Sequence, residues 1–400
     1  MLGDAARVST GSVSEAIVMI ASSPIERVLL QHLQIPLKEP FRISGGEVAV
    51  KDAILVTLET SSGIAHGESS PMAAGFGYSH GTPEGCWNDL ADSIAPSLIG
   101  QTFDSTAAIA QKCSTWTASP SAVAGAETAL YDLLGQTHRT TVAHLLGAIN
   151  EQISMGVQSG LTVGLYPSIV QLLRTIEVHL AEGYRRLKIK IQPGSDIEVV
   201  RAVRQHFGDL PLMVDASGAY TAADIDLFRA LDDLDLLMFE QPMRPGDLNG
   251  LALLQQSVTT PVCLDETAAS VEETARAIAQ GACRIVSLKI QRVGGLGPAR
   301  AIHDLCLSQG VACWVGSMPE LGLGQAFGIH LAALSNCKYP SDIQPAARWF
   351  VDDYLAPALE LSAPGLFAVP TRAGAGFQVD AAKVRRYQVR SAEFAARTIA

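Results

Sequence analysis

Leu187-Lys188-Ile189-Lys190, Leu212-Met213-Val214-Asp215, Leu237-Met238-Phe239-Glu240, Val262-Cys263-Leu264-Asp265 and Ile285-Val286-Ser287-Leu288-Lys289 are five apolar runs, each closed by a charged residue. The closing residues, Lys190, Asp215, Glu240, Asp265 and Lys289, follow one another at intervals of 25, 25, 25 and 24 residues. That interval is the length of one strand–helix unit, and such runs are typical of strands buried on both faces of a parallel sheet. A charge in a run of this kind is expensive to bury unless it is paired or binds a metal. One such residue alone reads as a solvated strand end or half of an ion pair. Five in phase read as a single constellation at the mouth of a barrel, three carboxylates flanked by lysines.

Outward from these runs the alternation of strand and helix continues. Ser154–Gly160 reads as strand one, Ala312–Gly316 as strand seven and Tyr339–Asp342 as strand eight, with helical spacing over 197–207 and 271–280. Eight strands predict a closed barrel rather than an open sheet. Before it, residues 26–60 look like β-structure and 84–150 like helices, the order of an α+β unit. The expectation is an α/β chain. A (β/α)7β-type TIM barrel spans 151–355, an α+β capping domain spans 26–150, and a segment over 356–400 returns to complete the cap. Residues 1–25 read as a disordered leader; its apolar run, Ala16–Ala21, is too short for a membrane span or a signal sequence.

Apolar content of 48% and charged content of 17% suit a large buried core, and a net charge of −11 leaves no basic stripe for nucleic acid. The seven cysteines are scattered with no C-x-x-C, and read as reduced thiols. The expected setting is the cytoplasm with no membrane partner, and the expected assembly is a homo-oligomer.

Asp215, Glu240 and Asp265 supply hard oxygen ligands from successive strands, which suits Mg2+, with Mn2+ as a substitute. No histidine or cysteine spacing favours zinc. Lys188 and Lys190 lie two apart and share a face of their strand, while Lys289 arrives from across the barrel. A lysine beside other cations or in a poorly solvated site is expected to have a lowered pKa and to accept a proton. The set suits removal of an α-proton from a carboxylic acid, with a base on either face and a metal and cations to hold the charge that develops.

Lys188-Ile189-Lys190, Val214-Asp215, Phe239-Glu240-Gln241-Pro242, Leu264-Asp265-Glu266 and Leu288-Lys289, followed by Arg292-Val293-Gly294-Gly295, resemble the enolase superfamily, muconate-lactonizing-enzyme subgroup. Within it the chain is most similar to the N-succinylamino acid racemase/o-succinylbenzoate synthase group. The resemblance implies chemistry by lysine bases working beside magnesium, as is usual in that superfamily. It also implies that Lys190 and Lys289 are the acid/base pair, with Lys188 assisting, and it matches Phe41–Gly45 and Gly67-Glu68 to loops that cover the substrate. Three loops depart from the group's pattern: Lys289-Ile290-Gln291-Arg292, Gly316-Ser317-Met318-Pro319-Glu320 and Ser341-Asp342-Ile343-Gln344-Pro345.

Glu266 reads as a partner behind the ligands, because successive strand residues face opposite sides. Arg292 either tunes Lys289 or caps a helix. Met318, Glu320, Phe41 and Asp342 are candidate substrate neighbours; Met72, Phe76 and Tyr78 cover an apolar substrate or pack the cap, and His66 and His80 are weaker candidates. Gly295-x-Gly297 and Gly322-x-Gly324 do not complete a dinucleotide fingerprint. The expected activity is racemisation or epimerisation of an N-acyl, notably N-succinyl, amino acid. The alternatives are o-succinylbenzoate-type β-elimination or cycloisomerisation on the same enolate, and a catalytically silent metal-binding barrel.

Overall fold

The computed structural model describes residues 22–43, 46–72 and 81–396. The leader over 1–21, Gly45, Phe76, Tyr78 and His80 lie outside the described residues.

The cap is built on a four-stranded antiparallel sheet. β1 (Ile25–Ile43) and β2 (Gly46–Thr60) form a long hairpin, and β3 (Gly63–Ser69) lies beyond β2. Alternation buries Val28, Leu30, Ile54, Val56 and Leu58. Helix α1 (Pro120–Thr137) packs on β3, begins with proline in its first turn and is buried along most of its length. Helix and strand touch backbone to backbone: a Cβ at Gly67 would strike the Gly125 carbonyl, and one at Gly125 would meet Ser69.

Seven parallel strands follow in chain order: β4 (Leu161–Val163), β5 (Leu187–Lys190), β6 (Leu212–Asp215), β7 (Leu236–Glu240), β8 (Val262–Leu264), β9 (Ile285–Leu288) and β10 (Ala312–Val315). The segment 337–342 takes the eighth position. Lys338 N donates to the Cys313 carbonyl at 2.8 Å and Asp342 N to that of Val315 at 2.9 Å. On its other side Gly160 N donates to Ser341 O at 2.8 Å, which closes the barrel. A last strand, β11 (Gln388–Ala395), pairs antiparallel with β1 at the edge of the cap sheet.

Strand one differs from the expectation at Ser154–Gly160. Asn150–Met155 is a helix, Val157-Gln158 pairs with Leu366-Phe367, and the barrel strand begins at Leu161. The apolar spacing around Ile153 belongs to a short helix that Gly156, at φ +72°, terminates.

Inside the barrel, Met213, Met238, Cys263, Ile285 and Trp314 form a closed apolar layer. Asp215, Glu240 and Asp265 stand two residues beyond the first three and therefore face the same way, one layer nearer the mouth. The same alternation that fills the barrel's floor thus delivers carboxylates to its rim.

Candidate active site

The strand ends bring together Lys188, Lys190, Asp215, Glu240, Asp265 and Lys289, all buried. Lys190 Nζ lies 2.6 Å from Asp215 Oδ2 and donates to Ser217 Oγ at 2.9 Å. Lys289 Nζ lies 2.7 Å from the same type of oxygen on Asp265. Lys188 Nζ sits 3.0 Å from Glu240 and 3.4 Å from Asp215, and pairs with Asp342. Gly316 leaves room for this: a Cβ there would run into Ser287 Oγ and Lys289 Cε.

The electrostatics divide the carboxylates. Burial and then Asp215 push Glu240 up to about 8. Burial also works against charge on Asp265 and Asp215, but Arg292 and Lys289 at the first, and Lys190 and Lys188 at the second, outweigh it and hold both below the usual carboxylate range. Lys188 corrects the expectation of a lowered lysine pKa. Burial pushes it down, yet Asp342, Glu240 and Asp215 together raise it well above the ordinary value. In this arrangement it is a fixed cation.

Gln241 explains the Glu-Gln-Pro sequence. Its Oε1 accepts from Asp265 N and Thr267 N, each at 3.0 Å, and its Nε2 donates to Met243 O and Thr267 Oγ1. The side chain locks the end of β7 to the end of β8, and so fixes Glu240 relative to Asp265. Gln241 at φ +39° and Ser217 at φ +46° are held in left-handed backbone directly after or near the strand ends, the kind of strain that accumulates at functional sites.

Arg292 pairs with Asp265, the carboxylate that also holds Lys289. Glu266 is pushed up to about 7 by burial and then by Asp265, and its Oε2 is buried with no hydrogen-bond partner among the described residues. Asp342 accepts from Arg186 at 2.7 Å and Thr162 at 2.8 Å besides pairing with Lys188. Phe41 packs edge-on against Trp349, ring centroids 5.2 Å apart, and both line a small cavity of about 20 Å³ with Thr162, Lys188, Lys190 and Asp342.

Other candidates serve the framework. Glu320 accepts from Ser317 Oγ and Met318 N, which shapes its own loop, and the Met318 carbonyl accepts from Lys51. Gly67-Glu68 ends β3 rather than forming a loop. Glu68 accepts from Leu321 N at 2.9 Å, Gly324 N at 3.0 Å and Tyr354 Oη at 2.5 Å, because the backbone amides opening the helix Gly322–Ala332 need an acceptor. Glu127 likewise receives Leu296 N and Gly297 N, so both glycine pairs present their amides to the protein's own carboxylates. His66 hydrogen-bonds Thr57 within the cap sheet. Met72 is buried beside the Lys51 ammonium, in the cap's packing. Thr162, Arg186, Ser217 and Trp349 carry no signal of period or motif; only their position after or within a barrel strand, or past strand eight, could draw attention.

Among the described residues no three His, Cys, Asp or Glu side chains converge tightly enough to ligate an ion as they stand, because the lysines take the carboxylate oxygens. The donor set nonetheless fits a hard cation. Asp215 and Glu240 are register partners on adjacent strands, Asp265 follows on the next, and all three are buried. Buried, mutually repelling carboxylates such as Glu240, and the orphaned Glu266 Oε2 beside them, are groups that a cation would satisfy.

Among the described residues no helix is long and apolar enough to cross a membrane. Residues 25–147 match the model for the mandelate racemase / muconate lactonizing enzyme N-terminal domain, and 171–383 match the enolase C-terminal domain-like model. The chain is 38% identical over 364 residues to an o-succinylbenzoate synthase from Geobacillus stearothermophilus, covering 91% of this chain and 96% of that protein. It is 37% identical over 350 residues to an N-succinylamino acid racemase from Amycolatopsis sp, with 87% and 93% covered. A dipeptide epimerase from Enterococcus faecalis V583, whose crystal structure holds Mg and the dipeptide L-Leu-L-Tyr, superposes with a TM-score of 0.80 at 27% identity, covering 89% of this chain and 99% of that one. The chain therefore belongs to the enolase superfamily, as an enzyme of the mandelate racemase / muconate lactonizing enzyme family.

Proposed function

We propose that this enzyme removes the α-proton of an N-acyl amino acid, of the N-succinyl type, and returns a proton to the opposite face, racemising it with Mg2+ held by Asp215, Glu240 and Asp265. The observation that carries this reading is the placement of Lys190 and Lys289. They end strands β5 and β9, four positions apart in an eight-position barrel, and so face one another across its mouth. Racemisation needs a base on each face of the α-carbon.

When bound, the cation supplies a positive centre for the charge that builds on the substrate carboxylate. The chain's own residues do the rest. Lys190 takes the proton on one side and Lys289 delivers one on the other. Lys188, kept charged by Asp342, stands beside Lys190 as a permanent cation for the developing negative charge. Arg292 shares Asp265 with Lys289 and orients both. The apolar layer ending in Trp314 closes the floor, and the Lys188 ammonium lies 5.1 Å from that ring's centroid.

A second reading, β-elimination of the o-succinylbenzoate synthase kind, is supported by the 38% identical relative of that name. It requires only the Lys190 face. A silent metal-binding barrel gains no support, since metal binding alone gives Lys190 and Lys289 no task.

The test is incubation with Mg2+ and a panel of N-succinyl amino acids in D2O. Racemisation predicts α-deuterium incorporation with loss of optical activity, and Lys289→Arg should abolish inversion. Absence of exchange and of optical change over the whole panel overturns the proposal. Elimination that survives Lys289→Arg favours the second reading.

A further inference from the structure

The two lysines that face one another across the mouth are followed by loops seated on different parts of the molecule. The loop after Lys190 bonds to barrel neighbours: Ile191 N donates to Asp215 O at 2.9 Å, Gln192 and Ser195 bond one another, and Asp196 accepts from Tyr220 Oη at 3.3 Å. The turn after Lys289, Ile290–Val293, rests on the cap. Its Gln291 is buried and belongs to one of the three loops that depart from the group's pattern.

Gln291 meets the end of β3. Its Nε2 donates to Glu68 O and its Oε1 accepts from Ser70 N, both at 2.8 Å. A carbonyl and the amide two residues on point to the same side of a strand, and β3 is the last strand of the cap sheet. The side-chain amide thus supplies the pairing that this edge would otherwise lack. The Gln291 carbonyl accepts from Ser121 Oγ at 3.3 Å, at the start of α1, so the cap holds both the side chain and the backbone of one residue. Further along, Glu127 of the same helix receives Leu296 N and Gly297 N. Within the turn, Arg292 N and Val293 N donate to the Lys289 carbonyl at 3.0 and 3.2 Å, so a shift of Gln291 is passed to the Lys289 backbone.

We propose that Gln291 is a positioning residue through which the cap sets Lys289 on its face of the substrate. The inference rests on the two-lysine racemisation proposed above. It makes the seam between cap and barrel a determinant of reaction type: inversion needs Lys289 in place, whereas elimination from the Lys190 face does not. Reacting geometry tolerates little displacement, and a turn seated on a second domain moves when that seat is lost.

The experiment uses the N-succinyl amino acid that wild type exchanges fastest, supplied as separate enantiomers with Mg2+ in D2O. One enantiomer turns its α-hydrogen to Lys190 and the other to Lys289, and Lys289→Arg identifies the second by the exchange it removes. Gln291→Met keeps the side chain's length and loses both hydrogen bonds; melting curves establish folding. It should slow α-deuterium uptake by the Lys289-facing enantiomer about tenfold or more, and uptake by the other no more than about twofold. Inversion should fall equally from either enantiomer, because both directions need both lysines. Ser121→Ala should act in the same sense by about two- to threefold, and it decides the matter if Gln291→Met does not fold. Equal losses on the two enantiomers, or no loss, overturn the assignment. Should wild type leave one or both enantiomers of every compound unexchanged, the reaction proposal fails instead. Backbone amide exchange, read by mass spectrometry on the same variants, then decides the role of Gln291. Faster exchange over 289–295 with 190–196 unchanged supports it, and unchanged exchange over 289–295, or equal acceleration of both segments, overturns it.

Discussion

Two sets of buried carboxylates sit in this molecule and are neutralised differently. At the barrel mouth, Asp215, Glu240 and Asp265 face ammonium and guanidinium groups on movable side chains. Along the seam between cap and barrel, Glu68 and Glu127 face backbone amides at helix starts, and Asp132 receives the amides of His66 and Ala375. Backbone donors cannot leave, so the seam is fixed. Side-chain cations can be exchanged for a metal or a substrate, so the mouth can do chemistry. The same residue type holds the fold together in one place and is kept available in the other.

The sharpest way to break this contrast is Glu240→Gln. Shape is kept while one of three repelling charges is deleted. Proton exchange should fall by about 100-fold or more, on the scale of losing a charge-stabilising group, and the Mg2+-induced rise in melting temperature should shrink or vanish. Without metal the variant should melt no lower than wild type, because the deleted charge is repelled by Asp215. A metal-induced shift equal to that of wild type would show that these carboxylates are not the metal site.

Glu68→Gln should do the reverse. An amide can accept at only one of the two oxygens that now take Leu321 N and Gly324 N, so a buried amide is stranded, at a cost of about 1–3 kcal/mol. Stability measured by urea unfolding should drop by that amount, while the melting-temperature response to Mg2+ persists. Retained stability with lost metal response would place Glu68 in the catalytic set.

The smallest effect concerns pH. Burial pushes Glu127 up to about 8, so the folded state holds its proton more tightly than the unfolded chain does. Its effect is absent below about 4.5, and stability is lost progressively as pH rises toward 8. Buried His330 has the opposite sense: burial lowers it to about 4, so stability is lost as pH falls from about 6.5 toward 4. Urea midpoints from pH 5 to 9 should decline on the alkaline side, and Glu127→Gln should flatten that decline above pH 6.5. An unaltered slope would sink the assignment.

The contrast also explains what the sequence discloses. Lys190, Asp215, Glu240, Asp265 and Lys289 are legible because charge interrupting an apolar run is a rare, periodic signal. The seam is not: Glu68 and Glu127 lie in ordinary surroundings whose meaning depends on amides at positions 296–297 and 321–324, far along the chain. Strand one begins later than its pattern suggests because a short helix and a short strand share the same apolar density around Ile153. Arg186, Ser217 and Trp349 act through distances that no local pattern encodes. Lys188 shows the further limit that composition around a lysine does not fix the sign of its shift, since an aspartate from the eighth strand position is the largest of the charges that reverse it.

β11 carries a consequence for synthesis. Gln388 meets Gln31 across 357 residues, and β11 covers the outer edge of β1. At roughly 5–20 residues per second, the ribosome needs about 20–70 s to make the strand that covers an edge already present. During that interval the hairpin made first displays unpaired amides and carbonyls, a template for pairing with a neighbouring chain. A strand made early is thus covered by one made late, and the barrel between them has time to form before the cap is sealed.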